Sequence, residues 1–221
     1  MTEIDKCIKL YNERSSQFGY FLQQVEVFFN DPFFKEGVPP LIHSTKKRLK
    51  DPEHLRDKLY RKKKEGRRIT SQNFFSQITD FAGIRVLHIY QKQFVEIHNK
   101  IMEKIRNKEW LLVEPPTAYS WDPEAKDFFE KLKIRTKIKD SYYTSVHYIV
   151  KPNNNSEITC EVQVRTLFEE IWGEIDHSIN YPHPTKINSC KEELRVLSKL
   201  VSTGTRLADT IFKNFNEGST K

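Results

Sequence analysis

A mixed α+β fold is what the chain predicts, with a mixed sheet of about five strands flanked by helices. Three observations lead there. Apolar residues recur at helical spacing near both ends of the chain. Segments around 81–89, 145–151 and 158–164 alternate apolar and polar residues, or are rich in β-branched ones. Helical stretches fall before, between and after these segments without a strict β-α repeat.

The first helix is carried by Ile4, Ile8, Tyr11, Phe18, Phe21, Leu22, Val25 and Phe28, and ends near Asn30-Asp31-Pro32. A second helix covers about 51–65 and stops near Gly66, and a short one spans about 71–77. Phe81–Ile89 reads as a strand, about 91–107 as a helix and Leu111–Val113 as a short strand closed by Pro115-Pro116. Residues 123–132 read as a helix, followed by strands at Ile134–Ile138, Ser145–Lys151 and Ile158–Val164. The turn Pro152–Asn155 makes the last two a hairpin. A helix then runs from about Thr166 to Asn180, ended by Pro182 and Pro184. The last helix spans about 188–214, with Leu194, Leu197, Leu200, Val201 and Leu207 on one side. The terminal helices could pack on each other or form an oligomer contact. This order divides the chain into a helical segment (1–40), a central domain (41–186) and a C-terminal helix (187–221).

The 221 residues are 37% hydrophobic, enough for one domain core, and no stretch approaches a membrane span. The start, MTEIDKCIKLYNE, lacks a signal-peptide pattern, so a soluble, cytoplasmic protein is expected. Cys7, Cys160 and Cys190 show no CxxC spacing, which argues against a zinc site or disulfide framework. The net charge of +7 is concentrated in KKRLKDPEHLRDKLYRKKKEGRR at 46–68. Such a run suits polyphosphate, RNA or an acidic surface, and equally a solvated helix face.

Four clusters could carry chemistry. Arg48 and Lys50 stand at the entrance of the second helix, and Lys58 and Arg61 share one of its faces. Converging Lys and Arg can neutralise phosphates. Asp80 precedes a strand containing Gly83 and Arg85; it is a candidate Mg²⁺ ligand or a turn cap. Gly83 inside the strand suggests a bulge or close backbone approach. The loop from Lys139 through Asp140 to His147 offers Tyr143 as a stacking surface, with Lys137 and Lys139 positioned to meet phosphates. An ordinary turn is the plain alternative. In the fourth cluster, alternation puts Glu161, Gln163 and Arg165 on one strand face, opposite Val162 and Val164. The helix after Thr166 adds Trp172 and the row Glu174, His177, Asn180. Together these parts suit in-line attack on phosphorus, with Asp80 and Glu161 holding Mg²⁺. A P-loop, a kinase HRD…DFG set and an HExxH site are missing.

The ordered motifs Arg48-x-Lys50, Asp80-x-Ala82-Gly83-x-Arg85, Tyr143-x-Ser145-x-His147, Glu161-x-Gln163-x-Arg165-Thr166 and Trp172-x-x-x-x-His177-x-x-x-Tyr181 resemble the RelA/SpoT (p)ppGpp synthetase domain. The likeness runs over about 44–182 and is nearest the single-domain small alarmone synthetases, with no hydrolase domain expected ahead of it. The resemblance implies a nucleotidyltransferase-like fold for the central domain. It implies transfer of the β,γ-pyrophosphate of ATP to the 3′-hydroxyl of GDP or GTP, with Mg²⁺ as cofactor. Arg48 and Arg85 would hold adenine, and Lys50, Lys58 and Arg61 would lie near the ATP phosphates. Asp80 and Glu161 would bind Mg²⁺, with Glu161 also the candidate base. Tyr143 would stack on the acceptor base, and Lys137, Lys139 and His147 would approach the acceptor phosphates. Gln163, His177 and Asn180 would complete the acceptor side.

One departure stands out: Tyr142 replaces the family's usual loop glycine, which predicts a differently shaped loop. Glu169 and Glu170 are also unusual beside an anionic nucleotide, though a carboxylate can accept from guanine N1 and N2. Alternatives within the family are a toxic synthetase that modifies the 3′ end of tRNA or an adenine nucleotide, with an antitoxin partner. Homo-oligomers occur among small synthetases. A non-catalytic RNA-binding module is the rival outside the enzyme class, and intact Asp80, Tyr143 and Glu161 argue against it.

Overall fold

In the computed structural model, residues 1–139, 141–181 and 183–218 are described. Asp140, in the loop that leads to His147, and Pro182, expected as a helix stop, lie outside them. The helices are α1 (Glu3–Phe29), α2 (Pro32–Lys35), α3 (Pro52–Lys64), α4 (Phe74–Gln77), α5 (Gln93–Arg106), α6 (Pro123–Lys131), α7 (Leu167–Asn180) and α8 (Asn188–Gly218). The strands are β1 (Ser44–Leu49), β2 (Ala82–His88), β3 (Leu111–Leu112), β4 (Thr117–Tyr119), β5 (Arg135–Lys137), β6 (Ser145–Lys151) and β7 (Cys160–Thr166). They form one sheet in the order β1-β2-β7-β6-β4-β5, with β3 also on β6. The sheet is mixed: β2–β7 and β4–β5 are parallel, the other pairs antiparallel.

The α+β class is as expected, but the sheet has seven strands rather than about five. The two extra ones have weak apolar patterns for physical reasons. β1 reads STKKRL, with its last four residues exposed, because it is an edge strand paired only with β2. Charged residues on an edge discourage pairing with other chains. β3 and β4 lie along the same edge of β6, parted by Pro115-Pro116, which have no N–H to donate. Gly83 makes no bulge; it pairs in regular register with Arg48 and Glu161.

One sheet face is apolar. Ala82, Ile84 and Val86, then Cys160, Val162 and Val164, then Val146, Tyr148 and Val150 are all buried there. Helix α1 crosses this face with Tyr11, Phe18, Leu22, Val25 and Phe29, and α5 adds Phe94, Ile97 and Ile101 to the same core. Each such aromatic or branched side chain stabilises the fold by about 1.5–3 kcal/mol when fully buried. The α1 register starts at a capping box, where Thr2 accepts from Asp5 N (3.2 Å) and Asp5 accepts from Thr2 N (3.0 Å). Phe81 packs among Tyr11 (5.4 Å between ring centres), Phe18 (4.9 Å) and Phe74 (5.0 Å). That knot fixes the chain immediately after Asp80.

The terminal helices take different partners. α1 lies against α3, β1 and β2, and α8 against α7. Trp172 Nε1 donates to the Leu194 carbonyl (2.9 Å), and Tyr90 stacks on Phe212 (4.7 Å). The expected apolar side of α8 is split: Leu194 is buried, while Leu200 and Leu207 face solvent.

Thr166 caps α7 through a second capping box, accepting from Glu169 N (3.2 Å) while Glu169 accepts from Thr166 N (2.7 Å). Burial pushes the Glu169 carboxyl up to about 7 despite the bonds from Thr166. A raised folded-state value favours the protonated native state. Its contribution to stability is full below about pH 4.5 and is lost as pH rises through about 7. Glu169→Gln keeps an acceptor for Thr166 N without a charge. It is expected to raise the melting temperature by several degrees at pH 8 and to change it little at pH 4.5. Thermal melts across that range check this; an equal effect at both pH values would refute it.

Candidate active site

The polar face of the sheet is built by the same alternation. Register places Lys46, Arg85, Gln163, His147 and Thr117 in one row across five strands. The next row holds Arg48, Gly83, Glu161 and Ile149. A groove of about 200 Å³ runs here, lined by Lys46, Arg48, Gly83, Arg85, Glu161 and Gln163. Glycine at position 83 keeps its floor low.

At the mouth of β2, Asp80 accepts from Lys50 Nζ (2.7 Å) and Lys58 Nζ (2.6 Å). It bridges β1's end to α3 rather than capping a turn. Burial alone would raise its pKa, but the Lys58 and Lys50 ammoniums outweigh this and hold it at about 2. Lys50 is itself placed by Tyr11, whose hydroxyl donates to the Lys50 carbonyl (2.5 Å).

Glu161 accepts from His147 Nδ1 (3.0 Å) and Gln163 Nε2 (2.7 Å). Its burial is opposed by His147, so its pKa is lowered, although the negative charge of nearby Asp80 pushes the other way. On its other side the His147 ring meets the Tyr143 hydroxyl, 3.0 Å from Nε2. Burial raises the Tyr143 pKa and keeps that proton in place. Lys139 Nζ sits 4.1 Å from the Tyr119 ring centre and 4.8 Å from that of Tyr143. Tyr119 also meets His147 edge-on at 4.8 Å. It was missed in the sequence because β4 was; its register opposite Ser145 is what brings it here.

Tyr142 takes a backbone conformation that its residue type resists. It adopts φ +56°, the conformation that glycine takes freely, with Trp121 packed edge-on at 5.4 Å. Left-handed backbone at a non-glycine residue costs about 1–2 kcal/mol, and the aromatic contact opposes that cost.

Beside the groove, Glu170 of α7 gathers cations from three strands. It accepts from Lys46 Nζ (2.9 Å) and Arg85 Nη1 (3.1 Å), and is in ionic contact with Arg165. Arg85 Nη1 also donates to Glu174. Burial opposes ionisation of Glu170, but Arg165, Lys46 and Arg85 hold its pKa well below the usual range. Arg165 passes so close under α7 that a Cβ at Gly173 would stand 2.9 Å from its Nη1. The guanidinium also lies 5.5 Å from the Tyr143 ring centre.

The remaining expected residues divide. Arg48 is exposed on the groove wall and has no ion-pair partner among the described residues. Lys137 is exposed on β5. Lys58 and Arg61 separate: Arg61 lies 6.0 Å from the Tyr181 ring centre, on which His177 stacks at 4.6 Å. Asn180 donates to Asp176 (2.8 Å) and accepts from Thr185 N (3.0 Å), closing the turn after α7. The row Glu174, His177, Asn180 thus serves three different partners.

A model of the region found in RelA/SpoT proteins matches residues 47–186. The chain belongs to the RelA/SpoT family. GTP pyrophosphokinase YwaC of Bacillus subtilis (strain 168) is 27% identical over 150 residues, which are 66% of this chain and 60% of that protein. The chain therefore matches less than two thirds of that relative's length. The crystal structure of small alarmone synthetase 1 from Bacillus subtilis superposes with a TM-score of 0.72 at 17% identity, covering 94% of this chain and 98% of that one. A GTP pyrophosphokinase family protein from Streptococcus pneumoniae gives 0.70 at 18% identity, covering 95% and 94%. At these identities the superpositions establish the shared fold. The Bacillus synthetase 1 has also been solved bound to its product pppGpp, with a TM-score of 0.70 at 18% identity over 93% of this chain and 98% of that one.

Removing Glu170 would leave Arg165 buried without its counter-charge. Glu170→Ala is expected to lower unfolding stability by about 3 kcal/mol, the scale for breaking a buried ion pair. Glu170→Gln should cost less. Urea unfolding at pH 7 measures both, and an unchanged midpoint in the alanine variant would rule out the hub role.

Proposed function

We propose that this RelA/SpoT-family chain is an ATP-dependent pyrophosphokinase acting on GDP or GTP to form (p)ppGpp. One observation carries the reading: two ionised carboxylates stand near enough for the charge of one to act on the other, Glu161 lining the groove with Arg48 and Arg85, and Asp80 held by Lys50 and Lys58. The acceptor's 3′-oxygen attacks the β-phosphorus of ATP. The bond from that phosphorus to the α,β-bridging oxygen breaks, and AMP leaves with the electron pair. The hydroxyl proton passes to Glu161, which is in its acceptor form at neutral pH.

Arg48 and Arg85 flank the groove and suit the adenine of ATP, with Lys50 and Lys58 at its phosphates. Arg85 would have to share its guanidinium between the nucleotide and the acidic side chains of α7. On the acceptor side, Tyr143 offers a ring for the base, and Lys139 and His147 border it. The GDP/GTP reading is supported by the name of the YwaC relative.

Mg²⁺ fits this donor set. Both carboxylates are held ionised, and each oxygen that accepts one hydrogen bond keeps a second lone pair. Mg²⁺ typically needs only one or two carboxylates beside substrate phosphates. When bound by Asp80 and Glu161 it would supply neutralisation of the transferring phosphates.

The deciding assay incubates the purified chain with γ-³²P-ATP and, separately, GDP, GTP, ATP and deacylated tRNA. Label on GDP or GTP is expected. Label only on tRNA or an adenine nucleotide would replace the acceptor, and no transfer to any would overturn the enzymatic reading. Asp80→Asn and Glu161→Gln should each cut turnover by about 100-fold or more while the fold persists. Tyr143→Ala should raise the acceptor KM about tenfold or more and leave the ATP KM nearly unchanged, as loss of one stacking contact predicts.

A further inference from the structure

Helix α8 reaches toward the Tyr143 side of the site through one buried acid. Asp122 caps α6, accepting from Glu124 N through Oδ1 (3.0 Å). Its Oδ2 accepts from Arg206 Nη1 (2.6 Å) and from the Ser202 hydroxyl, both on α8. Arg206 also donates to Ser202 Oγ (3.0 Å), and its Nε lies 3.3 Å from Glu124. Asp122 is only 7% exposed, so its charge needs a counter-ion, and Arg206 is that ion. The cap itself uses one oxygen; the other ties α6 to α8.

The segment held in this way runs beside the loop that carries Tyr143. Asp122 N donates to Ser120 Oγ (3.2 Å), which lies 3.3 Å from Thr144 Oγ1, with both hydroxyls buried. Between Ser120 and Asp122, Trp121 packs edge-on against Tyr142 at 5.4 Å. Tyr143 therefore has both chain neighbours, Tyr142 and Thr144, in contact with residues 120–122. Tyr142 stands at φ +56°, and an unfavourable backbone angle persists only where its surroundings hold it. The space between α8 and this segment is a cavity of about 20 Å³, bordered by Trp121, Tyr142, Thr144 and Arg206. It has room for about one water, so α8 acts here through its side chains and not through a bound ligand.

We infer that Arg206, through Asp122 and Trp121, is a positioning residue that sets the Tyr143 ring for the acceptor nucleotide. The inference rests on the acceptor role proposed for Tyr143. α8 is also docked elsewhere: Trp172 donates to the Leu194 carbonyl, Lys92 N donates to Asp209 (2.9 Å), and Tyr90 stacks on Phe212. Loss of Arg206 thus opens the clasp while the helix stays in place.

Hydrogen–deuterium exchange of the full chain, with calorimetric titration by GDP and by α,β-methylene-ATP, tests this. Arg206→Ala should speed exchange across 141–145 severalfold. It should weaken GDP binding by about fivefold or more, the lower end for coupling between separate sites, and leave the affinity for α,β-methylene-ATP within about twofold. Asp122→Asn keeps a capping oxygen but removes the charge; it should act in the same direction and add little to Arg206→Ala, as for two residues working as a unit. Arg206→Lys should recover part of the GDP affinity. Asp209→Ala breaks a different α8 contact and should alter neither the exchange of 141–145 nor GDP binding. Circular dichroism melts check that each variant is folded at the assay temperature. Unchanged exchange in Arg206→Ala would overturn the clasp. Faster exchange with unchanged GDP affinity, equal loss of both ligands, or the same effects in Asp209→Ala would overturn the positioning role. A parent that binds neither GDP nor GTP, but whose loop still responds to Arg206→Ala, would overturn the acceptor reading and uphold the clasp.

Discussion

The two-residue period shared by β2, β7 and β6 is the constraint from which the rest of the structure follows. Ala82, Ile84, Cys160, Val162, Val146 and Tyr148 point to the core, so Gly83, Arg85, Glu161, Gln163 and His147 must point the other way. A slip of one residue in any pairing would bury a charged row and expose an apolar one. The hydrophobic effect thus sets the position of polar groups it never touches. The site's geometry is a by-product of core burial, and α1 and α5 secure it from behind.

Charge is balanced locally on the polar face. Asp80 is shared between two lysines, and Glu170 among cations from β1, β2 and β7. Glu161, His147 and Tyr143 form a hydrogen-bonded chain. Such arrangements hold polar groups oriented before a ligand arrives, which is where electrostatic stabilisation is most effective. The acidic residues of α7 are thereby explained as the counter-charge for a cationic sheet face.

Most elements were legible in the sequence because their signals are local. The α1 stripe from Ile8 to Val25, the β6–β7 hairpin around Pro152–Asn155 and the Thr166 cap all depend on neighbours in the chain. β1 and β4 were not, since one is a charged edge and the other is three residues long after two prolines. The site divides in the same way. Glu161 and Gln163 follow from alternation on one strand, and their meeting with His147 follows from the hairpin. The Asp80–Lys50–Lys58 cluster needed a tertiary contact between β2, the end of β1 and α3. Helical spacing grouped Glu174, His177 and Asn180 on one side of α7, but it could not show that this side meets a different partner at each position. Tyr142 shows the limit of a residue-type rule: aromatic packing on Trp121 accompanies a backbone angle that tyrosine rarely takes.

The contact between Gly173 and Arg165 bears on how such a sequence can drift. A side chain at position 173 would meet the guanidinium at 2.9 Å, and Arg165 in turn is the buried partner of Glu170. The three positions are therefore yoked. Any residue larger than glycine at 173 requires the end of the Arg165 side chain to shift, and that shift moves the cation closest to Glu170. A change at one of these positions is therefore felt at the other two, with Lys46 and Arg85 left to share Glu170 when Arg165 moves.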